Sequence, residues 1–180
     1  HGLTPPCAIR LVQERVKEVV IANRDPFSEV NGRGIEILKA AGIPVHTGVL
    51  EKEGIWVNRR FFCCHTLKRP YIILKWAETR DGFIAPVNKK RLQITGAETR
   101  RLVHQWRTEE AAIMVGTTTA LYDNPQLTAR LHEGKHPLRI VLDRNRSLPK
   151  THHILDNTVP TWVVNEQRET QEGLTHHVRL

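Results

Sequence analysis

The sequence predicts an α/β fold with a largely parallel sheet. Strand-like and helix-like segments alternate between residues 16 and 62, which is typical of α/β layers. Two nearly continuous apolar runs follow, at residues 71–77 and 111–115, as expected for strands that are buried on both faces. A chain of 180 residues can form one or two domains with modest cores.

The first predicted strand comprises residues 16–22, which are rich in β-branched side chains and precede a turn at residues 23–26. Residues 34–41 place apolar side chains on one helical face, and Gly42 can cap the helix at its C-terminus. The remaining elements of this part are a strand and an amphipathic helix, at residues 43–45 and 49–62.

A polar break that contains a proline, residues 67–70, is the best candidate for a domain boundary. The predicted domains are therefore residues 1–66 and 67–180. After the break, residues 98–107 form a predicted helix with Leu102, Val103 and Trp106 facing inward. The predicted buried strands of this domain are residues 71–77, 111–115, 138–142 and 161–164.

Cysteine usage indicates a reducing compartment. The chain has three cysteines, and two of them, Cys63 and Cys64, are adjacent and are interpreted as alternating along a strand. They cannot build a disulfide framework, so we expect a cytoplasmic protein. No apolar run approaches the ~20 residues of a membrane span, and no signal-peptide pattern is present. We therefore expect no membrane association.

The formal net charge of +8 raises the question of an anionic partner. Between residues 89 and 107, six basic residues stand against Glu98 alone. Such a stretch suits a small phosphorylated ligand about as well as a polyanion, and a solvated helix face is the alternative. Because no nucleic-acid-binding signature accompanies the charge, we expect no nucleic-acid partner.

The segment Gly116-Thr117-Thr118-Thr119 directly follows the apolar run at residues 111–115. A strand that ends in glycine before hydroxyl side chains at a helix start exposes N–H and O–H donors, which predicts an anion or nucleotide site. Helix capping by threonine is the structural alternative. The Gly-x-Gly-x-x-Gly fingerprint is absent, so a standard dinucleotide site is not predicted.

Several charged residues are candidates for a site. Asp123 can face a ligand or form a turn before Pro125. Arg107 and Arg130 can form bidentate contacts with phosphate. Lys75 interrupts an apolar run, and a buried lysine is costly unless it is paired, so a functional role is favoured. The adjacent pairs His152-His153 and His176-His177 are interpreted as solvated loop residues.

Cys7 follows Pro5-Pro6 and precedes a helix-compatible run. A helix N-terminus lowers the pKa of a thiol, which favours metal binding by the thiolate. Free cysteines are also commonly buried as small apolar residues. Both interpretations stay open on the residues alone.

Eight segments together resemble a known family. They are Leu3-Thr4-Pro5-Pro6-Cys7, Arg24-Asp25-Pro26, Val30-Asn31-Gly32-Arg33-Gly34, Gly48-Val49-Leu50-Glu51, Arg69-Pro70-Tyr71, Lys75-Trp76-Ala77-Glu78-Thr79-Arg80-Asp81-Gly82, Ile94-Thr95 and Asp123-Asn124-Pro125-Gln126-Leu127-Thr128. In this order and spacing they resemble the bifunctional riboflavin-biosynthesis deaminase/reductase family over nearly the whole chain.

The resemblance implies the C-terminal part of a cytidine-deaminase-like zinc domain, residues 1–66, followed by a dihydrofolate-reductase-like domain, residues 67–180. The first domain of such proteins deaminates a diaminopyrimidinone ribosyl phosphate, and the second uses NADPH to reduce the ribosyl side chain to ribityl. Cys7 would be the last zinc ligand, with the other ligands and the catalytic glutamate upstream of His1. The resemblance also implies a homodimer.

Site residues carry over by position. Ala77, Thr119 and Asp123 match cofactor-contacting positions, and Asp123 is also the candidate catalytic acid. The positions that match contacts with the phosphorylated pyrimidine substrate are Lys75, Arg107, Leu127 and Arg130. Arg91 and Gln93 match a substrate-contacting and a cofactor-contacting position, although this chain departs from the family there, with Arg91-Leu92-Gln93 where many members carry Ser-x-Trp. A basic nucleotide- or RNA-binding α/β module without turnover is the alternative function.

Overall fold

The structure is a computed structural model that describes residues 6–27, 30, 32–88 and 90–180. The chain divides into two compact units, His1–Leu74 and Lys75–Leu180, and each unit is described by itself. Their assignment as a deaminase-like and a reductase-like domain stays a prediction. The motif residues Leu3, Thr4, Pro5 and Asn31 lie outside the described residues.

The first unit is a small α/β layer. Its strands β1 and β2 pair in parallel, with Val19 opposite Val45. Ala8, Leu38 and Ile43 are buried together and form its core. The elements in chain order are α1 (Cys7–Gln13), β1 (Val19–Ile21), α2 (Arg33–Ala40), β2 (Val45–Thr47), α3 (Glu51–Val57) and α4 (Arg59–Leu67).

The amphipathic helix predicted for residues 49–62 is wrong, because two helices, α3 and α4, occupy this region. They are separated at Asn58, whose backbone is not helical, with φ −100° and ψ 21°. The Asn58 side-chain amide donates to the Gly54 carbonyl at 3.1 Å, so asparagine competes with the helical hydrogen bonds there. Cys63 and Cys64 lie on α4, not on the strand that was predicted for them.

The second unit contains a five-stranded sheet in the order β3-β4-β5-β7-β6. All pairs are parallel except β6 with β7, which is antiparallel. The predicted strands at residues 111–115, 138–142 and 161–164 are confirmed. The elements are α5 (Ala97–Glu109), β3 (Ala112–Gly116), α6 (Thr117–Asp123), β4 (Leu138–Leu142), a 3₁₀ turn (His153–Leu155), β5 (Thr161–Asn165), β6 (Thr170–Glu172) and β7 (Thr175–Arg179).

One face of this sheet carries the core of the unit. Val141 of β4 and Val163 of β5 are buried against Ala120 of α6 and Ile154 of the 3₁₀ turn. Burying a valine or isoleucine side chain contributes about 1.5–3 kcal/mol relative to leaving it exposed. This packing holds α6 against the ends of β3 and β4, next to the segment in which the candidate site residues lie.

The Arg139 guanidinium is fully buried beneath the sheet. It donates to Thr161 Oγ1 at 2.8 Å, to Asp156 Oδ1 at 2.9 Å and to the Val159 carbonyl at 3.0 Å. It also reaches the carbonyls of Gln126 at 3.3 Å and His153 at 2.9 Å. Because a buried charge is tolerated only when it is paired and hydrogen-bonded, this network defines where the surrounding loops lie.

Two predictions about buried apolar residues are wrong. Residues 71–77 form neither helix nor strand, and Leu74 is 79% exposed. Burial on both faces requires neighbouring strands, and within the described residues none pairs with this segment. In α5, Leu102 and Trp106 are exposed, whereas His104 is buried.

Within the part of the chain that is described, no helix has the length and apolarity needed to cross a membrane.

Candidate active site

The carboxyl ends of the parallel strands meet at one edge of the sheet. Register places Gly116 of β3 beside Leu142 of β4, and Asn165 ends β5. The predicted succession of strand, glycine, threonines and helix is confirmed, since β3 ends at Gly116 and α6 begins at Thr117. Ligands of open α/β sheets bind outside such carboxyl ends, so the position suits a bound cofactor.

The hydroxyl groups at this edge differ in their availability. Thr117 Oγ1 donates to the Leu142 carbonyl, so it joins α6 to the end of β4. Thr118 and Thr119 are exposed on α6, and their hydroxyls can reach a ligand. Asp123 is also exposed and is the last residue of α6.

Arg107 and Arg130 are brought together around Thr128. Arg107 Nη1 donates to the Thr128 carbonyl at 2.9 Å, and Arg130 Nη1 approaches Thr128 Oγ1 at 3.4 Å. The two guanidinium groups therefore contact the same residue. Among the described residues, no hydrogen bond or ion pair joins Asp123 to either arginine.

His104 belongs to the same cluster, and sequence reasoning missed it. Its Nδ1 accepts hydrogen bonds from the backbone N–H groups of Arg130 at 3.0 Å and Leu131 at 3.3 Å. Its Nε2 lies 3.4 Å from Arg107 Nη1. The available signal was helical spacing, because His104 and Arg107 are three residues apart and share one face of α5.

The electrostatics of the cluster are uniformly positive. Burial, followed by the positive charges of Arg107, Arg130 and Arg100, lowers the pKa of His104 to about 4. Burial and then Arg130 also lower the pKa of Arg107. Moreover, Arg107 Nε is buried and has no hydrogen-bond partner within the described part of the chain. Crowded guanidinium groups with an unfilled donor favour the binding of an anion, which would relieve the repulsion between them.

The remaining candidates for substrate and cofactor contacts lie in different surroundings. Leu127 is 5% exposed in the core cluster, with its backbone in the left-handed region at φ +56°. Lys75 is exposed, so the expectation that it is buried is wrong, and Ala77 is half-buried. Arg91 and Gln93 are both exposed, and Gln93 Nε2 donates to the Thr95 carbonyl at 2.8 Å.

The histidine pairs are only partly in loops. His176 and His177 lie on β7, and His177 is 6% exposed, so their interpretation as solvated loop residues is wrong. Thr175 and His177 alternate with more exposed neighbours, which is the period of a strand. His153 is exposed at the start of the 3₁₀ turn. His152 is half-buried, with Nε2 3.1 Å from the Leu121 carbonyl.

Cys7 is exposed at the first position of α1, so its interpretation as a buried apolar residue is wrong. Among the described residues, no three His, Cys, Asp or Glu side chains come together as metal ligands. A zinc ion held by protein side chains alone needs about four ligands, and a catalytic one needs three. The described residues therefore do not form a zinc site, and Cys7 as a zinc ligand stays a prediction.

Residues 70–178 match the family described as the RibD C-terminal domain. The chain belongs to this family. Riboflavin biosynthesis protein RibD of Aquifex aeolicus is 38% identical over 173 residues, which cover 96% of this chain and 49% of that protein. RibD of Actinobacillus pleuropneumoniae is 42% identical over 149 residues, covering 83% of this chain and 40% of that protein. The chain thus spans half or less of the length of these curated relatives.

Solved structures are similar over most of the chain. A diaminohydroxyphosphoribosylaminopyrimidine deaminase/5-amino-6-(5-phosphoribosylamino)uracil reductase from Thermotoga maritima is 40% identical, with a TM-score of 0.85 over 96% of this chain and 49% of that one. RibD of Acinetobacter baumannii is 38% identical, with a TM-score of 0.82 over 93% of this chain and 49% of that one. The resemblance and the predicted α/β fold class, with its dihydrofolate-reductase-like part, are confirmed.

Proposed function

We propose that the second unit is the reductase part of an enzyme of riboflavin biosynthesis. In this proposal it reduces the ribosyl side chain of a phosphoribosylaminouracil to ribityl, with NADPH as the hydride donor. Membership of the RibD C-terminal domain family supports the assignment. The alternative, a basic nucleotide- or RNA-binding module without turnover, is not favoured by that membership.

The single observation that carries the proposal is the positive cluster of Arg107 and Arg130. Both guanidinium groups approach Thr128, and the charged groups that act on the neighbouring His104 are all arginines. A phosphate would supply the missing negative charge, and guanidinium groups bind phosphate through paired, charge-assisted hydrogen bonds. We assign this cluster to the phosphate of the substrate.

The edge formed by the carboxyl ends of β3, β4 and β5 fits the cofactor, because Thr118 and Thr119 leave hydroxyl groups exposed there. We propose Thr119, Asp123 and Ala77 as cofactor contacts, with Gln93 as a further one. NADPH, when bound, supplies the hydride to C1′ of the ring-opened or imine form of the sugar. Orientation of the reactants is the main contribution of the protein.

The other substrate contacts proposed are Lys75, Arg91 and Leu127. Asp123 is the candidate group that holds or donates the proton required when the side chain is reduced. Leu127 is buried in the core, so its side chain would not contact the substrate directly. It would act through its backbone, or by holding the adjacent Thr128 in place. For the complete protein, a zinc-dependent deaminase activity in a cytoplasmic homodimer stays a prediction.

The proposal is tested by exchanging Arg130 for alanine in the complete protein and measuring NADPH oxidation by absorbance. Loss of charge-assisted hydrogen bonds of about 2 kcal/mol should raise KM for the phosphorylated substrate roughly 30-fold. KM for NADPH should stay the same. Arg168→Ala is the matched control, because Arg168 is an exposed arginine whose guanidinium pairs with Glu172 on the surface.

An unchanged KM in Arg130→Ala would remove this residue from the site. The absence of NADPH oxidation by the wild-type protein with the pyrimidine substrate would contradict the reductase assignment altogether. In that case, binding of RNA or nucleotides that weakens steeply with salt would support the alternative function.

A further inference from the structure

His104 is a buried polar residue that contacts Arg107 and the backbone of Arg130 and Leu131. Only 5% of the residue is exposed. Its ring faces the segment that carries Arg130, where Nδ1 is 3.0 Å from the Arg130 backbone nitrogen and 3.3 Å from that of Leu131. Two elements far apart in sequence are joined through this one side chain.

The hydrogen bonds determine which form of the imidazole is present. A backbone N–H can only donate, so Nδ1 must carry a lone pair to accept from Arg130 and Leu131. The neutral ring then carries its proton on Nε2, a tautomer assigned from these hydrogen bonds. The low pKa of His104, about 4, agrees with a neutral ring under physiological conditions.

Nε2 lies 3.4 Å from Arg107 Nη1. Because both nitrogens carry protons in this tautomer, Nε2 cannot accept a hydrogen bond from Arg107. Arg107 Nη1 instead donates to the Thr128 carbonyl at 2.9 Å. The imidazole thus lies between the Arg107 guanidinium and the Arg130 backbone and contacts both. A cationic imidazole would lose the acceptor and add a third positive charge.

We propose that His104 is a positioning residue that sets the spacing between Arg107 and Arg130 for a phosphate group. The inference rests on the proposed function, because it requires that these two arginines bind the substrate phosphate. It goes beyond that function because it names the residue that determines the distance between the two arginines. That residue is neutral and does not bind the phosphate by its own charge.

The test compares two amide substitutions in the complete protein. Asparagine in His104→Asn places an oxygen near the position of Nδ1 and can still accept from the two N–H groups. Glutamine in His104→Gln is longer and places its amide near Nε2, so the acceptor is lost. We expect His104→Gln to raise KM for the phosphorylated substrate about tenfold, because the N–H groups of Arg130 and Leu131 lose their acceptor and the segment that carries Arg130 is no longer held. We expect His104→Asn to keep most of the wild-type affinity.

Three further readouts separate positioning from a general loss of structure. In His104→Gln, kcat and the KM for NADPH should each stay within about twofold of the wild-type value. The substrate that lacks the phosphate should be turned over equally well by wild type and His104→Gln. Inorganic phosphate, used as a competitive inhibitor, should bind about tenfold more weakly to His104→Gln. A rise in KM that is equal with and without the phosphate would overturn the inference.

The outcomes also distinguish this inference from the proposed function. If Arg130→Ala raises KM and His104→Gln does not, the role of His104 is refuted and the phosphate site stands. If Arg130→Ala has no effect, the proposed site itself is refuted. Should His104→Gln fail to fold, His104→Asn decides alone, since the inference requires near wild-type affinity for inorganic phosphate in that variant and is overturned by a tenfold loss.

Discussion

Replacement of Arg139 by methionine should strongly destabilise the second unit. The guanidinium is fully buried and donates five hydrogen bonds, to Thr161, Asp156 and three backbone carbonyls. Methionine has a similar volume, so the cavity is small and the loss is mostly polar. Removing one partner of a buried ion pair costs about 3–5 kcal/mol, which is a large fraction of the ~5–15 kcal/mol that stabilises a domain.

The carboxylate of Asp156 provides a second measure of the same interaction. Burial raises its pKa, but hydrogen bonds from the Thr158 N–H, from Arg139 and from the Thr158 hydroxyl outweigh that effect, and the net pKa is lowered. A lowered carboxylate pKa contributes stability above its unfolded value that is lost as pH falls through the folded value. Arg139→Met should therefore reduce the loss of stability at acidic pH.

Urea unfolding of the variant, followed by tryptophan fluorescence, should show a transition midpoint lower by roughly 2 M, given a slope of about 1–3 kcal/mol per molar urea. Hydrogen exchange of amides in β4 and β5 assigns the change to the second unit. Arg144→Met is the matched control, because Arg144 forms an exposed ion pair with Glu166 at 2.8 Å that is worth about 0–1 kcal/mol. A loss below ~1 kcal/mol in Arg139→Met would refute the reasoning.

Three further predictions concern other residues of the second unit. Leu127→Ala should cost about 2–4 kcal/mol in thermal unfolding, because the side chain is buried in the core; a raised substrate KM with unchanged stability would instead indicate direct contact. The stability contributed by His104 should fall with acidification between about pH 6.5 and 4, where the unfolded chain binds a proton that the folded one does not. This slope should be absent in His104→Asn. Thr161→Val should cost about 1–2 kcal/mol in urea unfolding, since Thr161 Oγ1 accepts from Arg139 and donates to Val159; a neutral result would show that the hydroxyl is dispensable.

The parallel strands were predictable because their local pattern contains the relevant information. Residues 138–142 of β4 and 161–164 of β5 are dominated by apolar and β-branched side chains, and both are strands. The same pattern failed at residues 71–77, where an apolar run is exposed. Apolarity indicates that a segment is suited to burial, whereas pairing with another strand is a long-range property that the segment itself does not specify.

The candidate site divides in a similar way. Arg107 and Arg130 were predicted, and the structure brings both to Thr128. His104 in the site was not predicted, nor was Arg139 in the buried network of the fold, because an isolated histidine or arginine on an element gives no local sign of burial. Their importance comes from carbonyl and N–H groups more than ten residues away, and only the folded chain shows which backbone groups require a partner.

The two edge strands of the five-stranded sheet, β3 and β6, differ in how readily they can pair with a strand of another molecule. The edge strand β6 has only three residues and ends at Glu172, which pairs with Arg168. Short, charged edge strands disfavour pairing with other chains. The opposite edge strand, β3, has five residues, and its Met114 is 57% exposed. Among the described residues, no strand pairs with the outer side of β3. Intermolecular strand addition, including aggregation during purification, is therefore expected to start beside β3.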